Sequence, residues 1–119
     1  MAAVLGIGGV FFKSRDPAAM RAWYTRVLGV SFSEWGGAKF APPTKGSQNI
    51  TPFAEDSGHF APSSQRFMLN LVVDDLDGMV AKIEAAGEKV LGREAHDGFG
   101  AFAWLLDPDG VKIEFWQPA

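Results

Sequence analysis

The sequence of 119 residues contains no cysteine. That excludes a disulfide scaffold, a thiol nucleophile and any thiolate metal site, and it fits a reducing compartment. A basic excess is also missing: 11 Lys and Arg stand against 14 Asp and Glu, a net charge of −3. Binding to a phosphate backbone needs a basic stripe, so nucleic acid is not an expected partner. No apolar run approaches the roughly 20 residues of a membrane span, so no membrane partner is expected. The apolar start, Met1 to Phe12, has no basic leader and is broken by glycines. It reads as a strand, not a signal peptide, which makes the cytoplasm the expected location. The GIGG run at 6–9 is followed by more strand-forming residues, not by a helix, so it is no nucleotide fingerprint.

What is present is an ordinary globular composition, 47% hydrophobic and 21% charged, of a size for one domain. Its emphasis is aromatic and glycine-rich: ten Phe, four Trp and 14 Gly, but one Tyr. Large rings and tight backbone together suit a curved sheet around an apolar pocket.

The residues from Val4 to Phe12 are β-formers. Asp16-Pro17 then opens a helix, as N-cap and first-turn proline. Met20, Trp23, Tyr24, Val27 and Leu28 give it one apolar face, and Gly29 ends it. Strands are expected over 30–35, 38–41 and 49–53, the last weakened by Pro52. The polar stretch 55–65 reads as a linker. The pattern then restarts: a strand over 67–73, a helix capped by Asp74-Asp75 with Leu76, Met79, Val80, Ile83 and Ala86 inward, and a stop at Gly87. A short strand at 89–91, a loop over 92–100, and strands over 101–106 and 111–116 follow, the last two joined by the turn Asp107-Pro108-Asp109-Gly110.

A shift of 58 residues lays Asp16 on Asp74 and Gly29 on Gly87. Each half therefore reads β-α-β-β-β. The expected fold class is α+β: two βαβββ modules, 1–54 and 66–119, joined by the 55–65 linker into a cupped mixed sheet with helices outside. In the last strand, period-2 alternation puts Val111, Ile113 and Phe115 on a helix-facing side. Lys112, Glu114 and Trp116 take the other side, with Lys112 a potential partner of Glu114.

The opening GIGGVFFKSRDP, the helix end WYTRVLGV, the restart LNLVVDDLDGMVAKIEAAG and the close FAWLLDPDGVKIEFWQP resemble the vicinal oxygen chelate superfamily. That superfamily includes glyoxalase I, bleomycin-resistance proteins and extradiol dioxygenases. The resemblance implies a trough between the modules, with a divalent metal held by His or Glu on four strands. Carried onto this chain, those four positions fall on Gly9, on Ile50 or Thr51, on Met68 and on Glu114. Only Glu114 matches, since a thioether is a poor ligand for a hard divalent ion. No metal and no other cofactor is therefore expected.

The resemblance also implies that Phe11, Met68, Asn70, Phe102, Trp104 and Trp116 line the trough as a small-molecule site. Glu114 is the candidate general base, with His96 as a candidate helper. His59 and His96 both read as loop residues; a displaced metal site of His59, His96 and Glu114 is the alternative if both loops fold over the trough. The expected function is a metal-free glyoxalase- or bleomycin-resistance-like protein that binds a small hydrophobic or aromatic molecule, in a homodimer. The rival readings are a metal-dependent lyase or dioxygenase with displaced ligands, and an interaction module whose trough is filled by its own side chains.

Overall fold

The computed structural model describes residues 2–119. It contains one mixed four-stranded sheet and two helices, an α+β architecture. The sheet comes from the second half alone: β1 (Met68–Val72), β2 (Gly92–His96), β3 (Gly100–Leu106) and β4 (Lys112–Pro118), in the order β1-β4-β3-β2. β1 runs parallel to β4, whereas β3 is antiparallel to both β2 and β4. The parallel pair needs a crossover, and α2 (Leu76–Ala85) supplies it.

The first half contributes α1 (Pro17–Trp23), whose last turn, Tyr24–Leu28, widens to π-helical geometry. Asp16 caps it, the carboxylate accepting the Ala19 N–H at 3.1 Å. Gly29 ends it at φ 72°, a left-handed conformation that favours glycine. Gly87 does the same after α2, at φ 87°.

α1 and its wide last turn pack beside α2 on one face of the sheet. Met20, Trp23, Tyr24, Val27 and Leu28 meet Leu76, Val80 and Ile83 there, over Ala103, Leu105, Ile113 and Phe115. The Trp23 indole donates to Glu88 at 3.0 Å, and Arg26 donates to the Ala86 carbonyl at 2.9 Å, fastening the two helices together. The alternation expected for β4 holds: Val111, Ile113 and Phe115 are buried on the helix side.

Two local expectations are corrected, and a third, the Asp74-Asp75 cap, is narrowed to one residue. The strands expected in the first half, over 4–12, 30–35, 38–41 and 49–53, form no ladder among the described residues. Val30 and Phe32 of these segments pack against the core, but Leu5, Phe11, Phe40 and Ile50 stand exposed. A β-rich segment without a partner edge has nothing to satisfy its backbone or cover its apolar side. The strand expected at 89–91 lies further on, in the segment taken as a loop. Gly92–His96 pairs with β3, from Gly92 opposite Trp104 to His96 opposite Gly100. It is an edge strand, and charged and polar side chains such as Arg93, Glu94 and His96 are what edges carry. Last, Asp75 caps α2, accepting the Gly78 N–H at 3.0 Å.

Candidate functional site

The face of the sheet away from the helices carries the chemistry. Register places Met68 beside Lys112, Asn70 beside Glu114, Trp104 beside Glu114, and Phe102 beside Trp116. Glu94 lies opposite Phe102 on the neighbouring strand. Met68, Asn70, Phe102, Trp104, Glu114 and Trp116, all expected at the site, therefore share one face.

Glu114 is the hub, with 14% of its side chain exposed. Its Oε1 accepts the Asn70 amide at 2.7 Å, and its Oε2 accepts the Trp104 indole N–H, also at 2.7 Å. His59 Nε2 lies 3.2 Å from Oε2, and the Nε2–H tautomer donates to it. A carboxylate offers about four lone-pair positions, and three are taken here. That arrangement anchors donors.

Lys112 does not pair directly with Glu114. Its ammonium donates to the main-chain carbonyl of His59 at 2.6 Å and sits 5.3 Å from the centre of the Trp104 ring. Burial pushes the Lys112 ammonium below its ordinary pKa, and the charges of Glu114 and Glu94 oppose that shift.

The two histidines part company. His59 rides on a short 3-10 turn, Gly58–Phe60, capped by Ser57, and reaches Glu114. Its ring stacks on Phe53, with centroids 5.3 Å apart and planes 4° from parallel, and it stands edge-on to Trp104 at 6.3 Å. His96 instead pairs with Glu94 at 2.9 Å and lies edge-on to Phe102 at 5.8 Å. Trp116 lies parallel to Phe102 at 6.3 Å and donates its indole N–H to the Phe99 carbonyl at 2.8 Å. Phe11, expected to face the same interior, is 94% exposed. Its segment lacks the ladder that would set its facing.

His59 and Phe53 are the residues that sequence reasoning underweighted. The signal was present as Ser57-Gly58-His59-Phe60, a small capping residue before two rings. Nothing local says that this turn folds onto β4.

The donor set does not fit a divalent ion. Both Glu114 oxygens already accept N–H groups, and the Lys112 ammonium shares the face. Gly9, Ile50 and Thr51 bring no carboxylate or imidazole, and among the described residues no three His, Asp or Glu side chains converge. The site is an aromatic surface partly covered by the His59 turn. Two clefts of about 270 and 250 Å³ lie away from this face, around Arg15 and Asp109. Among the described residues no helix is long and apolar enough to cross a membrane.

This fold is that of the vicinal oxygen chelate superfamily. Residues 9–116 match the glyoxalase-like domain family, and the chain belongs to it. A solved structure from the mobile metagenome of V. Pseudocholerae is 19% identical, with a TM-score of 0.59, over 98% of this chain and 99% of that one. TnmS3, an antibiotic binding protein from Streptomyces sp. CB03234, is 26% identical with a TM-score of 0.56, over 87% of this chain and 88% of its own. A glyoxalase/bleomycin resistance protein from Catenulispora acidiphila DSM 44928 is 24% identical with a TM-score of 0.50, over 87% and 90%. No curated protein matches the chain.

Proposed function

We propose that this protein binds a small hydrophobic or aromatic molecule on the Trp104–Trp116 face, without a metal ion. The observation that carries the reading is the composition of that face. Phe102, Trp104 and Trp116 surround one carboxylate whose donors are all N–H groups of the chain itself. Rings supply contact area at low entropic cost, and a few fixed polar groups orient a ligand. The likeness to TnmS3, an antibiotic binding protein, supports a binding role over turnover. The occupied lone pairs of Glu114 support an anchoring role for it over a general base. We further propose a homodimer, supported by the exposed apolar residues of the first half.

The test is a titration with neutral aromatics, benzyl alcohol and 2-naphthol, followed by the indole N–H signals in NMR. The Trp104 and Trp116 signals are expected to move, while that of buried Trp23 stays. Elemental mass spectrometry after incubation with zinc, nickel and manganese is expected to find well under one equivalent bound. An unresponsive Trp104 and Trp116 would remove the binding reading; a stoichiometric metal lost in Glu114→Ala would restore the metal-dependent one.

A further inference from the structure

The chain puts a group of its own into the site, and that group is informative. The His59 imidazole is a flat ring that presents an N–H to Glu114 at 3.2 Å, with one face on Phe53 and its edge towards Trp104. The structure assigns this position, we infer, to a planar organic cation (an amidinium or a protonated nitrogen heterocycle) that takes the place of the imidazole. The inference rests on the binding reading above and names the ligand class for that same face.

Three observations favour a cation over a neutral ring. First, the hydrogen-bond acceptor at the end of the slot is a carboxylate, and a charged donor to a carboxylate makes the stronger, shorter bond. Second, the Phe53 face stacked on the imidazole attracts cations, and the Trp104 ring already holds the Lys112 ammonium 5.3 Å from its centre. Third, the charges on this face are two carboxylates, Glu94 and Glu114, against one ammonium, Lys112. Lys112 is held by the His59 carbonyl, a main-chain group, so its bond does not depend on where the imidazole points.

Displacement is also mechanically cheap. The His59 side chain is 36% exposed, Phe53 is 49% exposed, and neither belongs to the helix-side core. The imidazole is thus an internal competitor, and any ligand of this class binds only to the fraction of molecules whose slot is open.

The experiment compares benzamidine with benzamide, its neutral isostere, by calorimetry on the full chain, its His59→Ala variant and its Glu114→Gln variant. Benzamidine is expected to bind the parent more tightly than benzamide does. In His59→Ala the competitor is gone, and benzamidine affinity is expected to rise about tenfold, as a slot open in about a tenth of molecules requires. Free imidazole is also expected to bind that variant. Glu114→Gln keeps a polar side chain of the same length and is expected to abolish the preference for benzamidine. Thermal melts and the Trp23 indole signal establish that each variant is folded; if Glu114→Gln is not, Glu114→Ala serves in its place. Equal binding of the two isosteres, a preference that survives loss of the carboxylate, or no gain in His59→Ala would each overturn the assignment. If benzyl alcohol and 2-naphthol bind but no cation is preferred, this inference falls alone; if no aromatic binds any form, the function proposed above falls with it.

Discussion

Asp107 opens the turn between β3 and β4, and the turn explains its chemistry. One carboxylate oxygen accepts the N–H groups of Asp109 and Val111 at 2.8 and 3.0 Å. The other is buried without a partner, as is the Tyr24 hydroxyl. Burial raises the Asp107 carboxyl above its ordinary range, and its charge adds to the burial that raises Tyr24. A raised folded-state pKa means that the folded chain keeps a proton the unfolded chain has already lost. Stability therefore falls as pH rises from the ordinary aspartate range through the raised value, and stays lowered above it. Asp107→Asn keeps the accepting oxygen and removes the buried charge. It is expected to stabilise the fold at pH 7 by about 1 kcal/mol, because an unsatisfied buried charge costs more than the unsatisfied neutral amide that replaces it. Urea melts should show that gain shrinking as pH falls from the raised value into the ordinary aspartate range, and gone below it; a variant weaker than its parent at pH 7 would refute the account. The same scale shows what could be read of the site. Glu114 was legible because β4 alternates, and period 2 alone puts it on the face with Trp116. His59 was not, because its place is set by a bond across 55 residues of sequence, and no local pattern encodes such a contact.

At the scale of elements, helices were legible and strands only partly so. A helix carries its own start, stripe and stop, and both helices run from an Asp cap to a left-handed glycine. The repeat shift of 58 holds for the two glycines but misses the second cap by one residue, since Asp75 and not Asp74 accepts the Gly78 N–H. Chemical denaturation can separate the pair. Asp75→Ala is expected to cost about 1 kcal/mol, the usual worth of an N-cap. Asp74→Ala, at an exposed position, should stay within about 0.5 kcal/mol of the parent. Equal losses would mean that the cap is shared. β2 was misread because Arg93, Glu94 and His96 look like loop residues; what makes them a strand is β3, through the pairing of His96 with Gly100. Gly100 itself has φ 121°, and a Cβ there would run into the Gln117 carbonyl oxygen of β4. A strand is defined by its neighbour, and the neighbour is not in the local sequence.

The whole molecule has two unequal halves. The second completes a βαβββ module, whereas the first gives its helix to the second half's core and leaves its β-forming segments without a ladder. A few of their backbone groups bond within the chain, as Ile7 N–H does to Gln48 and Ser33 N–H to Gly37; the others must be paired with water or with another chain, and their exposed apolar side chains need a cover. Leu5, Phe11, Trp35, Phe40 and Ile50 are each at least two-thirds exposed. An extended apolar segment is also a template for strand pairing with a second chain. These are the physical grounds for the proposed homodimer, and they place its interface on the first half. Light scattering on the eluting peak is expected to give twice the chain mass. Phe11→Asp and Ile50→Asp together are expected to shift that peak to the monomer, because a charge in an apolar interface must be desolvated without a partner. The double variant should keep the helix-side core, so its Trp23 and Tyr24 signals report whether it is folded. A parent that runs as a monomer at high concentration would overturn the dimer while leaving the Glu114 face intact, since every side chain bonded to Glu114 belongs to the same chain.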